Sequence, residues 1–325
     1  GAKPSRHLCE YGFGFVLLSL TAAHCAASDM SDNEKDEISD AEKLKIAGNF
    51  VFHSPPGQTS KVVDDVRTLL GPVLTDGALS NIVQRVNKDK FLQVTVPGTS
   101  REVLLTPTGE LPQGNFLDPE GQQILIVDHP QQKCVGVKPL DAAQRAQCEG
   151  TEAFRSSVDT AMKTYVAEYL PNATVTTYAR KAGGSCQVIC CVGRCNMELS
   201  NFWSGLWRSQ WMLDISPDAS SGVLSGFVAC HVHYFEDGNV QLQDSTKFEQ
   251  TIQLQSGDVG ASFVKQVTAF ESEFVAGLEA IYQTMSESVL NALRRRLPIT
   301  KVKFDWENKA SVHKLASELN AFKAS

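Results

Sequence analysis

Apolar positions along this chain recur in two rhythms, one helical and one alternating, and their order sets the fold class. Ser39, with Glu42 three residues later, offers a capping pair that opens a helix through Ile46 and Phe50. The run His53-Ser54-Pro55-Pro56-Gly57 must break it, because proline lacks an N–H and pushes the preceding residue out of the α region. Val62, Val63, Val66, Leu69 and Leu70 then mark a second helical face. Leu79, Ile82, Val83 and Val86 mark a third, over roughly 78–87. Three such elements predict a small antiparallel helical assembly.

The rhythm then changes. Short β-like runs are expected at 91–96, 101–106 and 123–128, separated by Pro and Gly turns, with a loop over 131–150. A helix over about 152–168 carries Val158, Met162, Tyr165 and Val166 on one face. A long β region follows, with strands at 175–180, 186–192, 203–215, 223–235 and 240–254. Glu236-Asp237-Gly238-Asn239 supplies a tight turn between the last two. Consecutive strands with short turns predict an antiparallel meander, not β-α-β crossovers.

The strongest periodic signal is Phe263, Val267, Phe270, Phe274, Leu278, Ile281, Met285, Val289 and Leu293. It predicts one helix of about 35 residues, roughly 50 Å long, lying across the whole sheet. Pro298 stops it from running on. Residues 307–323 return to a helical pattern, with Val312, Leu315, Leu319 and Phe322 on one side. The class expected is therefore α+β. A terminal amphipathic helix either packs on the body or enters a partner's groove, and periodicity does not choose between them.

Charge changes this picture at one end only. The formal net charge is −7, with +1 over residues 1–28, −13 over 29–290 and +5 over 291–325. A basic tail on an acidic body predicts that the tail meets an acidic surface, whether protein, phospholipid or nucleic acid. With 42% apolar and 21% charged residues the composition is that of a globular chain, and no apolar run reaches the ~18 residues of a membrane span.

Candidate chemistry is sparse. Residues 1–29 combine a short basic stretch with an apolar run from Tyr11 to Ala23 and small residues after it, the layout of a secretory signal. They are read as an upstream extension that takes no part in the fold. The sequon Asn172-Ala173-Thr174 would accept glycan only in a secreted chain. Nine cysteines is an odd count without a disulfide framework. Cys186, Cys190, Cys191 and Cys195 lack the C-x2-C pairing that presents thiolates to zinc, and Cys190 and Cys191 should point to opposite faces of a strand. Thr21-Ala22-Ala23-His24-Cys25 imitates the segment around a serine-protease histidine, but no Gly-Asp-Ser-Gly-Gly follows to supply nucleophile and oxyanion donors. His231 and His233 share a strand face and read as structural histidines, and Trp203, Trp207 and Trp211 as packing residues.

Five strings carry a resemblance. They are Phe116-Leu117-Asp118-Pro119, the run from Asn201 to Trp211 (NFWSGLWRSQW), the run from Val232 to Leu242 (VHYFEDGNVQL), Tyr282-Gln283-Thr284-Met285-Ser286, and the run from Leu293 to Thr300 (LRRRLPIT). In order and at this spacing the chain resembles the alpha subunit of heterodimeric F-actin capping protein, over about residues 38–320. The resemblance implies a helical stalk over 30–90, a middle β module over 91–150, an antiparallel sheet with its long helix over 151–297, and a basic amphipathic tentacle over 298–325. Residues 1–29 stand outside it.

The activity implied is binding, not catalysis, with no cofactor and no metal. A heterodimer with the capping protein beta subunit, the two sheets joined edge to edge, would cap the barbed ends of actin filaments in the cytoplasmic cytoskeleton. Nucleic acid is not an implied partner. Carried over by position, Arg295 and Lys301 fall on basic actin-docking positions. A third such position, lysine in family members, is Asn291 here, with Arg294, Arg296 and Lys303 available to compensate. The tentacle's apolar face is Val312, Leu315, Leu319 and Phe322. The same basic cluster implies inhibition by anionic phosphoinositides. The alternative is a polybasic, phosphoinositide-binding cytoskeletal adaptor without capping activity. For Arg294, Arg295 and Arg296 a structural reading stands beside these, as cations at a helix C-terminus.

Overall fold

The computed structural model describes residues 38–142, 145, 150–182, 184–236, 239–254 and 258–284. Three helices come first: α1 (Asp40–Phe52), α2 (Thr59–Leu70) and α3 (Asp76–Asp89). Val51, Val63, Leu79, Val83 and Val86 form their shared core, the stripes that the periodicity marked. Thr75 caps α3, its hydroxyl accepting from the Ala78 N–H at 3.3 Å. Gly57 closes the α1–α2 turn at φ +73°, and any Cβ there would run into Met197 of the sheet.

The next segment builds two small sheets. β1 (Leu92–Thr95) and β2 (Glu102–Leu105) form a hairpin, while β3 (Glu110–Leu111), β4 (Asn115–Asp118), β5 (Gln123–Asp128) and β6 (Lys133–Pro139) form an antiparallel sheet in that order. The expected loop over 131–150 therefore contains a strand. β6 escapes a pattern search because Val135 and Val137 point to solvent, 60% and 41% exposed, while the small Cys134 and Gly136 face inward.

The main sheet holds five antiparallel strands in the order β11-β10-β9-β8-β7: β7 (Thr174–Ala182), β8 (Ser185–Glu198), β9 (Trp203–Ile215), β10 (Ser221–Tyr234) and β11 (Val240–Gln253). The meander is as expected, and Asp237 and Gly238 of the predicted turn lie outside the described residues. Alternation sends successive side chains to opposite faces. Val188, Cys190 and Val192 enter one core together with Trp211 and Leu213, whereas Ile189 and Cys191 meet Phe91 and Leu104 of the middle segment on the other face.

Two helices, not one, cover the first face. α4 (Glu152–Tyr169) packs on β7 and β8, and α5 (Val259–Thr284) lies beside α4 and packs on β10 and β11. A single helix across the whole sheet was the expectation. One helix is about 10 Å wide and strands are about 4.8 Å apart, so five strands need two. Residues 285–293 of the predicted long helix lie outside the described residues.

Candidate functional site

The basic residues Arg294, Arg295, Arg296, Lys301 and Lys303, the neighbouring Asn291, and the apolar positions Val312, Leu315, Leu319 and Phe322 all lie outside the described residues. What is described is α5, the element that precedes them in the chain. Val259, Phe263, Val267 and Phe274 are buried along its sheet-facing stripe. Phe270 stacks on Trp211 of β9 with centroids 6.0 Å apart and on Phe248 of β11 at 4.5 Å, and Phe274 meets Trp207 edge-on at 5.6 Å. The tryptophans at 207 and 211 are thus packing residues, as expected. Past Phe274, Leu278 packs half-buried against the same core, while Val275 is exposed.

One carboxylate interrupts the apolar stripe. Glu271 is 3% exposed, and it takes hydrogen bonds from the Tyr165 hydroxyl of α4 at 2.8 Å, the Ser209 hydroxyl of β9 at 2.9 Å and the Trp211 indole N–H at 3.2 Å. Burial pushes its carboxyl up, and the three neutral donors offset only part of that. Burial together with the Glu271 charge pushes the Tyr165 hydroxyl well up. Eleven residues earlier the backbone itself touches α4. The Gly260 N–H donates to Ser157 Oγ at 3.0 Å, and a Cβ at 260 would stand 2.4 Å from the Ser157 carbonyl oxygen.

β11 is the other functional candidate. It is a 14-residue strand at the end of the sheet, paired only with β10 among the described residues, and most of its side chains are exposed. An edge of that length offers a row of free N–H and C=O groups to another strand.

With these elements in place the chain can be compared with known proteins. The family model described as "F-actin capping protein alpha subunit" matches residues 47–318. This chain belongs to that family. Among curated relatives, the F-actin-capping protein subunit alpha of Dictyostelium discoideum is 32% identical over 286 residues, covering 87% of this chain and 99% of the relative. The protein of the same name from Caenorhabditis elegans is 29% identical with the same coverage. A solved structure, the homodimeric actin capping protein alpha subunit from Plasmodium berghei, superposes with a TM-score of 0.67 at 19% identity, covering 79% of this chain and 98% of that one. At that identity the last likeness speaks for the fold alone, and it agrees with the α+β architecture.

The remaining candidates resolve into structural roles. Asp118, from the family string Phe116-Leu117-Asp118-Pro119, is a hub: Nη1 and Nη2 of Arg101 donate to it at 2.6 and 2.5 Å, with Gly121 N at 3.0 Å and Gln123 Nε2 at 2.8 Å. Burial alone would raise its carboxyl, but these bonds outweigh it and hold it below the ordinary value. Glu120 then bonds Lys163 of α4 at 2.9 Å, and Lys163 bonds Asp159 at 2.8 Å, so the hub ties the middle segment to the helix layer. The cavity beside it, between Arg101 and Arg155, holds only about 10 Å³, room for one water.

Arg208 of β9 clasps Asp89 at the end of α3, its carboxylate at 2.9 Å and its carbonyl as well. Lys90 donates to the Ser54 carbonyl and hydroxyl, both at 2.7 Å, and burial pushes its ammonium down to about 8 against the Asp89 charge. His231 meets Gln241 and Gln243 at 2.9 and 3.3 Å, as a structural histidine should. His233 departs from that expectation: among the described residues its buried Nδ1 has no hydrogen-bond partner, and the hydroxyl of Ser204 opposite it has none either. No group of His, Cys, Asp and Glu among the described residues could hold a metal ion, and burial holds the Cys190 and Cys191 thiols far above the ordinary value.

Glu271 and the Arg101–Asp118 pair were not singled out from sequence. Their signals are slight. Glu271 stands four residues after Val267 and three before Phe274, where a stripe calls for an apolar side chain.

Proposed function

We propose that this chain is the alpha subunit of a heterodimer that binds the barbed ends of actin filaments and blocks subunit exchange there. The observation that carries the reading is the family match over residues 47–318, together with the coverage of 99% of the Dictyostelium relative's length. The partner is the capping protein beta subunit, seated along β11 so that two sheets join edge to edge. The Plasmodium berghei homodimer makes a second copy of this chain the other occupant to be tested.

Arg294, Arg295, Arg296, Lys301 and Lys303 dock on the acidic surface of actin, and Val312, Leu315, Leu319 and Phe322 follow as an apolar anchor. Anionic phosphoinositides compete for the same cations, and the complex works in the cytoskeleton. The test is co-expression of residues 30–325 with a beta subunit, then elongation of pyrene-actin from filament seeds, with and without residues 291–325. A dimer that blocks growth only when intact supports the reading and the role of the tail. A soluble dimer that never blocks growth sinks it, and binding to phosphoinositide vesicles by that inert dimer would establish the adaptor in its place.

A further inference from the structure

We propose that Glu271 is a positioning residue: it fixes the register of α5 on the sheet, and through it the place from which the basic C-terminal stretch leaves. The register claim stands on geometry, and only its consequence for capping rests on the function proposed above.

The apolar side chains of α5 discriminate poorly between registers. Val259, Phe263, Val267, Phe270 and Phe274 repeat at spacings of four, four, three and four. A slip of four residues, about 6 Å along the axis, therefore replaces one apolar side chain by another almost throughout. Glu271 is the exception. Its three donors come from two different elements, α4 (Tyr165) and β9 (Ser209 and Trp211), so they triangulate one position of its carboxylate. A slip of four residues one way puts Val267 among those donors and moves the carboxylate to the exposed place of Val275, and a slip the other way puts Val275 there and drives the carboxylate into the buried slot of Val267; either leaves the three donors unmatched. A single buried polar contact that forbids slipped alternatives is the best-attested use of such groups.

The close passage of Gly260 over Ser157 gives a second fixed point about 16 Å back along the helix. A rod held at two points has a defined direction. Beyond Phe274 only the half-buried Leu278 still packs against the core among the described residues of α5, and Arg294 follows Thr284 by ten residues in sequence.

The experiment uses the full chain in its dimer with a capping protein beta subunit. Spin labels are placed at two exposed sites away from β11, E279C on α5 and K181C on β7, in a background with accessible thiols replaced by serine. Wild type and Glu271→Gln, which keeps a carbonyl acceptor for Ser209 and Trp211, should give one narrow label distance and equal barbed-end affinity. Glu271→Leu fills the space but removes every acceptor. It should leave the dimer assembled with a melting temperature lowered by only a few degrees, give a shifted or divided label distance, and weaken capping roughly tenfold through lost preorganisation.

An unchanged label distance in Glu271→Leu overturns the proposal whatever capping does. A shifted distance with full capping overturns the link to the tail. If the wild-type dimer does not cap at all, the function proposed above has failed, and the label distance still decides the register. Should Glu271→Leu fail to assemble, Tyr165→Phe with Ser209→Ala removes two of the three donors, and a distance unchanged there overturns the proposal equally.

Discussion

Asp118 in the middle segment and Glu271 beneath α5 are both buried carboxylates that gather several donors, yet their carboxyls are shifted in opposite directions. Asp118 faces a guanidinium. Its four hydrogen bonds include two from Arg101, and the carboxyl is pulled below its ordinary value against the effect of burial. Glu271 has only neutral donors, and burial pushes it up. The difference teaches that donor number does not decide the state of a buried acid. A formal counter-charge does, because neutral dipoles compensate only part of the lost hydration.

The largest test removes the charged hub. Asp118→Ala leaves Arg101 without its partner and the Gly121 turn without its acceptor, and should destabilise the protein by about 3 kcal/mol in urea titrations. Asp118→Leu should fare no better, since Arg101 stays behind. A loss below about 1 kcal/mol would show that solvent reaches Arg101 well enough to make the pair expendable. Glu271→Ala comes next, at about 2 kcal/mol, because it opens a small cavity and orphans three donors. Here the comparison should break, with Glu271→Leu within about 1 kcal/mol of wild type, since no ionised partner is stranded. Equal losses for Ala and Leu at 271 would erase the distinction.

Amide variants sharpen it through pH. The folded-state value of Asp118 is depressed, so its stabilisation is present above the ordinary carboxylate range and is lost as pH falls through the folded value. Glu271 is raised, so its contribution is full below the unfolded value and is lost as pH rises through the folded one. The deficit of Asp118→Asn relative to wild type should therefore shrink on acidification. The stability of Glu271→Gln relative to wild type should grow as pH rises from about 4. Parallel slopes in urea midpoints would contradict the assignment.

The smallest effect concerns Lys90, a buried cation bonded mainly to neutral Ser54 oxygens. Its Cε resonance should titrate near pH 8, and a midpoint above 10 would mean that Asp89 and water hydrate it fully.

Much of the framework is legible in the chain. The strand Trp203–Ile215 and the helix Glu152–Tyr169 follow from alternation and periodicity, because one face of each is buried continuously and its pattern runs for many residues. β4 and β6 were missed for opposite physical reasons. Four residues are too few for a pattern, and β6 turns its valines outward. The candidate site divides in the same way. The basic run Arg294, Arg295 and Arg296 is visible because charge accumulates locally in sequence. Glu271 is not, because its donors come from residues 60 to 106 positions away.

By itself, the sequence determined most of the element types, the antiparallel meander, the opposite faces of Cys190 and Cys191 and the placement of positive charge at one end. Each of these depends on neighbours within a few residues, where backbone periodicity and local charge act. Only the tertiary structure decided that two helices share one face of the sheet, that Arg101 finds Asp118, and that a glutamate in an apolar stripe meets three donors. Those pairings join segments far apart in the chain, and their energies depend on water being excluded from places that exist only once the chain has folded.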